Sequence, residues 1–259
     1  LYALHNWQLV RIHGRDPLAL LQGQITADVR ALDDGTGVNG ALCTPKGRMV
    51  ASFGVARRGD DVLLSVPKDR VQALSGALAK YLPFFGCSIE ALDWHGVGLT
   101  EPGSEAISIA LGNGLFESWS ESPAADAADG WEALRIEHNL PWVDTLTDQA
   151  FTPQQLNLQS TGGISFTKGC YTGQEVVART EHLGKVKKFA HRVTLSGDCR
   201  PGDLSLEGRK VGTLCHVAGD HGIAVMDPSI SACECPGGRV TEPSLPYPIT
   251  SPIKRRSNG

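Results

Sequence analysis

No stretch of this chain approaches the ~18 uninterrupted apolar residues that a membrane helix needs. Leu1 to His13 also lacks a basic start leading into an apolar h-region. The expectation is a protein with no membrane contact and no intact secretory signal, although the sequence begins at Leu1 rather than Met. Cysteine is sparse and unmatched. Cys43, Cys87, Cys170, Cys199, Cys215, Cys233 and Cys235 form an odd, scattered set in 259 residues, which argues against a disulfide framework and for a reducing, cytoplasmic compartment. Cys233 and Cys235 make a lone Cys-Glu-Cys without a second Cys or His pair, so a structural zinc site lacks half its ligands. Also missing are an internal repeat, a zinc finger and an RNP-type aromatic motif.

Charge of one sign is not in large excess: 24 Lys plus Arg stand against 28 Asp plus Glu, a formal charge of −4. The balance hides an asymmetry. Residues 185–259 hold 11 basic and 7 acidic side chains, which leaves 13 and 21 in residues 1–184, so the two parts carry +4 and −8. Lys185, Lys187 and Lys188, and then Lys254, Arg255 and Arg256, form basic clusters that read as a solvated surface and tail before they read as a nucleic-acid contact.

Local patterns give a mixed α+β chain. Asp16-Pro17 ahead of Leu18, Leu20 and Leu21 is a capped helix start with Gly23 as its stop. Val50–Val55 and Asp61–Val66, separated by Arg57-Arg58-Gly59-Asp60, predict a β-hairpin. Val71, Leu74, Leu78 and Tyr81 share one helical face that ends before Pro83. Ser118–Asp129 is polar and reads as a surface loop or linker. From Phe189 onward, alternating Phe189, His191, Val193 and Leu195, with short apolar runs near Val211 and Ile223–Met226, predict a small antiparallel β-barrel or sandwich. Pro243, Pro246, Pro248 and Pro252 predict a final stretch without regular ladders.

Residues 151–188 carry the chemistry. Thr152-Pro153 opens a short helix, and a second runs from near Thr172 to Leu183, stopped by Gly184. Cys170 stands just before it, where the helix dipole and the Lys168 ammonium both favour a thiolate. The alternative is an inert, buried cysteine between turn glycines. No His lies nearby except His182, which leaves His138 as a partner only through the fold.

Lys168-Gly-Cys-Tyr-Thr-Gly-Gln-Glu175 resembles the signature of the YgfZ-type folate-binding proteins, relatives of the glycine-cleavage T-protein. Leu21-Gln-Gly-Gln-Ile-Thr-Ala-Asp28, Cys43-Thr-Pro-Lys-Gly-Arg48 and Arg135-Ile-Glu137 match in order and spacing over essentially the whole chain. The resemblance implies a three-part, T-protein-like architecture around a central opening: a split first domain (1–45 with 120–185), an inserted second (46–119) and a C-terminal β-barrel (186–259). It implies tetrahydrofolate or a derivative as cofactor, with Glu137 on the pterin, and a role in iron–sulfur cluster assembly or repair and dependent tRNA modification. Partners would be iron–sulfur client or assembly proteins and a tRNA contact.

Tyr171, Gln174, Arg179 and Lys46 are further candidate ligand contacts, with Phe166 and Trp142 as stacking surfaces; each also suits an ordinary salt bridge or core position. The family pattern continues with small residues and Gly where this chain has His138-Asn139. Related aminomethyltransferases place an acidic pair on the strand after the Pro-Lys-Gly-Arg turn, where this chain has Ala51-Ser52. Neither side chain replaces a carboxylate. A folate-binding accessory protein using Cys170 as its thiol is therefore favoured over a folate-dependent aminomethyltransferase or an RNA-binding module.

Overall fold

Residues 1–103, 107–184 and 186–249 are described by the structure, a computed structural model. Lys185, Lys254, Arg255 and Arg256 of the basic clusters lie outside the described residues, as does Pro252. Nine strands form one sheet: β1 (Tyr2–Ala3), β2 (Trp7–Gly14), β3 (Thr36–Cys43), β4 (Met49–Arg58), β5 (Asp61–Pro67), β6 (Cys87–Ala91), β7 (His95–Leu99), β8 (Ile107–Gly112) and β9 (Leu115–Ser120). Their order is β1-β7-β9-β8-β3-β4-β5-β2-β6, antiparallel except where β3 meets β8. Helices α1 (Pro17–Gln22), α2 (Val71–Leu78) and α3 (Leu82–Phe85) cover one face and α4 (Trp131–Glu137) the other. A strand covered on both faces has no wet side and reads as an apolar run. In β5, Val62, Leu64 and Val66 enter the core with α1 and α2, while Leu63 enters the one holding Trp119 and Trp131.

The helix and hairpin signals act as their chemistry requires. Asp16 Oδ1 accepts the Ala19 N–H at 3.0 Å, and Pro17 occupies the first turn of α1. The β4–β5 hairpin turns at Gly59, whose φ of +60° lies in the left-handed region. The helix carrying Leu74 and Leu78 ends before Pro83 as expected, but already at Leu78, which leaves Tyr81 beyond it; Pro83 itself lies inside α3, in the first turn, where no intrahelical N–H bond is lost. The polar stretch expected to be a loop from Ser118 starts later. Ser118 and Trp119 are buried in β9, since the strand ladder and a 3.0 Å bond from Ser118 Oγ to the Ile107 carbonyl satisfy the serine.

β10 (Phe189–Gly197), β11 (Gly202–Leu206), β12 (Arg209–Ala218), β13 (His221–Met226), β14 (Ala232–Cys235) and β15 (Gly238–Ser244) close an antiparallel barrel in the order β10-β13-β12-β11-β14-β15. The fold is α+β with a C-terminal barrel, as the alternation after Phe189 predicts. Pro243 departs from expectation by lying within β15. The ladder to β10 is irregular there, and Glu242 takes a φ of +51°, so a bulge accommodates the missing donor. A separate apolar cluster joins the two bodies: Ala41, Met49 and Ile136 meet Ala190, Cys215, Ile223 and Val225, with Val177 of α5 (Gln174–Leu183) among them. No helix among the described residues is long and apolar enough to cross a membrane.

Candidate functional site

Three segments far apart in sequence are tied together around Thr26, which is fully buried between α1 and β3. Its N–H donates to the Ala41 carbonyl at 2.9 Å, and its hydroxyl accepts the Ala41 N–H at 2.9 Å. The same hydroxyl donates to the Gly163 carbonyl at 2.6 Å, and the Thr26 carbonyl accepts the Ser165 N–H at 2.9 Å. Lys168 reaches back to the same loop, where its buried ammonium donates to the carbonyls of Ile25 at 2.9 Å and Ala27 at 2.6 Å. It also sits 5.3 Å from the centroid of the buried Tyr171 ring. Burial pulls the Lys168 pKa down to about 8, against the opposing pull of Asp28. Thr172 completes the tie, with its N–H on the Gly23 carbonyl and its hydroxyl 2.9 Å from Gln24 Oε1.

The Cys43–Arg48 turn closes on this segment through two glycines. Gly173, at a φ of +86°, is the N-cap of α5, and a Cβ there would stand 2.6 Å from the Thr44 carbonyl oxygen and 3.2 Å from Gly47 Cα. A Cβ on Gly47 would meet Val176 of α5 at 2.8 Å. Only glycine permits this approach of two backbones.

Between these anchors lies Cys170, the one exposed thiol of the seven. Burial raises the Cys43 and Cys215 thiols to about 12. The Lys168 ammonium is engaged by the Ile25 and Ala27 carbonyls, and His138 is turned to Asn113, its Nδ1 lying 2.9 Å from the Asn113 carbonyl. Gln174, half buried at the first turn of α5, and the exposed Lys46 share the corner made by the two glycines. Arg179 forms an exposed pair with Glu175, one helical turn back, at 3.0 Å. Phe166 is partly exposed, and Trp142 stacks on His216 at 3.6 Å.

Glu137 stands apart from this group. Its exposed carboxylate lines a recess of about 430 Å³ with Tyr2, Leu134, Arg192, Ala218 and His221, between α4 and the barrel; none of the signature residues lines it. Its neighbour Arg135 is structural. The buried guanidinium lies 3.6 Å from the buried Glu117 and 5.4 Å from the rings of Trp7 and Trp142. Burial lowers the Arg135 pKa to about 10 and raises that of Glu117.

Asn139, one of the two residues that depart from the family pattern, takes a φ of +49°, a region asparagine tolerates better than most residues. Its Nδ2 and that of Asn157 both donate to the Ala190 carbonyl, at 3.1 and 2.8 Å, and the Tyr247 hydroxyl donates to the Asn139 carbonyl at 2.6 Å. The segment after β15 therefore wraps back onto the joint between α4 and β10.

Ala51 is buried among apolar side chains, and the Ser52 hydroxyl accepts the Val143 N–H at 2.8 Å. A concavity of about 750 Å³ lies at the β1–β7–β9 edge beside Trp94, and no cysteine lines it. Thr26 entered the sequence reading only as part of the Leu21–Asp28 match, without a role of its own, and Arg192 and His221 went unremarked. Arg192 had a signal: it alternates with the inward His191 and Val193, which places it on the barrel's outer face.

The fold is aminomethyltransferase T-like. The crystal structure of glycine cleavage system aminomethyltransferase T from Bartonella henselae superposes with a TM-score of 0.68 at 13% identity, covering 98% of this chain and 87% of that one. No family model matches the chain. The chain is 32% identical to the tRNA-modifying protein YgfZ of Enterobacter sp. (strain 638), covering 83% of this sequence and 79% of that protein. It is 34% identical to an uncharacterized protein of Haemophilus influenzae, with 82% of each covered. The YgfZ protein of Hamiltonella defensa is 29% identical over 78% of this chain and 71% of its own length. The chain belongs to the YgfZ family.

Proposed function

We propose that this protein is a folate-binding accessory factor for iron–sulfur cluster assembly or repair, serving iron–sulfur enzymes of tRNA modification in the cytoplasm, with Cys170 as its working thiol. The observation that carries the reading is the presentation of Cys170. One thiol of seven is exposed, and the loop bearing it is held by a buried ammonium, a buried threonine and a glycine-to-glycine backbone contact. A connecting loop needs no such anchoring; a loop that must present a nucleophile or soft-metal ligand in one orientation does.

The division into residues 1–45 with 120–185, 46–119 and 186–259 belongs to the same reading, and the barrel that begins at Phe189 supports its last boundary. Glu137 is our choice for the pterin contact. Its carboxylate suits the ring N–H and amino donors, and Arg192 across the recess suits a carboxylate of the glutamate tail. When bound, tetrahydrofolate supplies a carrier for one-carbon groups. Aminomethyl transfer is not part of the proposal, because an alanine and a committed serine hydroxyl stand where an acid would act.

The test pairs tetrahydrofolate titration with rescue of an iron–sulfur tRNA-modifying enzyme in cells lacking the protein. Cys170→Ala is expected to fold normally, bind folate like wild type and fail to rescue. Full rescue would overturn the role of the thiol. Glu137→Ala is expected to weaken folate binding by about 1.5–3 kcal/mol, the range of a hydrogen bond to a charged group; an unchanged titration would remove Glu137 from the site.

A further inference from the structure

Cys199 and Cys235 take no part in the function proposed above. They lie at one end of the barrel, Cys199 in the turn after β10 and Cys235 at the β14–β15 hairpin. The Cys235 thiol donates to the Cys199 sulfur at 3.0 Å, and the Cys199 thiol donates to the Ser196 carbonyl at 3.3 Å. Backbone contacts hold the two turns together whatever the sulfurs do. The Arg200 N–H donates to the Pro236 carbonyl at 2.9 Å, Gly197 pairs with Gly238, and a Cβ on Gly238 would meet the Cys199 sulfur at 2.6 Å. Each of the two residues keeps 9% of its surface in solvent, whereas Cys233 in the same cluster keeps 2%.

We propose that Cys199 and Cys235 form a reversible disulfide by exchange with a low-molecular-weight disulfide. Two sulfurs already in contact on pinned turns need little chain movement to bond. The hydrogen bond also sets the order of events: burial and the bond that Cys235 donates to Cys199 hold the proton on Cys235, which leaves Cys199 as the attacking sulfur. Deprotonated Cys199 attacks one sulfur of the small disulfide, whose S–S bond breaks and releases one small thiol carrying the proton. Cys235 then displaces the second small thiol from Cys199, passing its own proton to it. Two protein thiols are oxidised and one small disulfide is reduced to two thiols, with no net gain or loss of protons. The bond would join residues 36 apart and lock the hairpin that closes the barrel to the end of β10.

The experiment treats the full chain, and the Cys170→Ser variant, with oxidised glutathione under native conditions. Remaining thiols are then alkylated in denaturant and the peptides mapped by mass spectrometry. The expected result is loss of two alkylation sites in the variant and a linked pair of peptides containing Cys199 and Cys235. A melting temperature several degrees higher should return to its starting value with dithiothreitol. Retention of all six thiols in the variant, or a link through Cys233 in place of either residue, would overturn the proposal. No barrel residue is substituted, so a folding defect cannot imitate either outcome.

Discussion

An ammonium taken out of water must find replacement oxygens, and Lys168 finds them on the backbone of a loop more than 140 residues earlier. Lys168→Met would leave the Ile25 and Ala27 carbonyls without this donor. Stability in urea is expected to fall by about 1–3 kcal/mol, the range for buried acceptors left unpaired, and an unchanged urea midpoint would contradict the anchoring role. The residue scale also shows where sequence reading reaches its limit. Cys170 was legible as the reactive candidate because its neighbours Gly169, Thr172 and Gly173 mark a turn into a helix. The direction of Lys168 was not, because the carbonyls that satisfy it belong to a segment whose proximity only the tertiary fold creates. Asn139 shows the opposite case: the departure at His138-Asn139 was visible, and the left-handed backbone of Asn139 explains why asparagine serves there.

At the scale of elements, the Cys43–Arg48 turn and α5 meet at a contact with no room for a methyl group. Gly173→Ala adds a Cβ against the Thr44 carbonyl and forces alanine into a left-handed conformation, so a loss of about 1–3 kcal/mol is expected by chemical denaturation. Gly169→Ala is the control: its φ is ordinary and its added Cβ meets open space, so its effect should stay within about 0.5 kcal/mol. Equal effects of the two substitutions would show that the contact is unimportant. Elements whose signals are local, such as the Asp16 cap and the Gly59 hairpin, were legible in the sequence. Ser118 and Pro243 were misread because a polar residue satisfied inside a ladder and a proline at a bulge owe their places to partners across the sheet.

Two buried histidines on barrel strands, His191 and His216, make the stability of the whole molecule sensitive to acid. Burial lowers both His191 and His216 to about 4 from an ordinary value of 6.5. Between these values the unfolded chain binds more protons than the folded one, so stability falls as pH drops from about 6.5 to 4, and neither group contributes a slope above that window. Asp144, 3.7 Å from His216, opposes the shift without cancelling it. The urea midpoint is expected to be lower at pH 5 than at pH 7, and the drop to shrink in His191→Asn; a midpoint independent of pH would show that the histidines are not buried as neutral rings.

The strand order of the barrel bears on how the molecule is made. β10 is the first barrel strand to leave the ribosome, and it is closed on one side by β15, the last. During synthesis the growing barrel is therefore an open ribbon with a bare edge on β10, and Cys199, Cys233 and Cys235 lack the cover of Val240 until the final strand emerges. Tyr247, three residues beyond β15, can reach the Asn139 carbonyl only once that edge has been filled, so the Tyr247 contact acts as a latch set after closure.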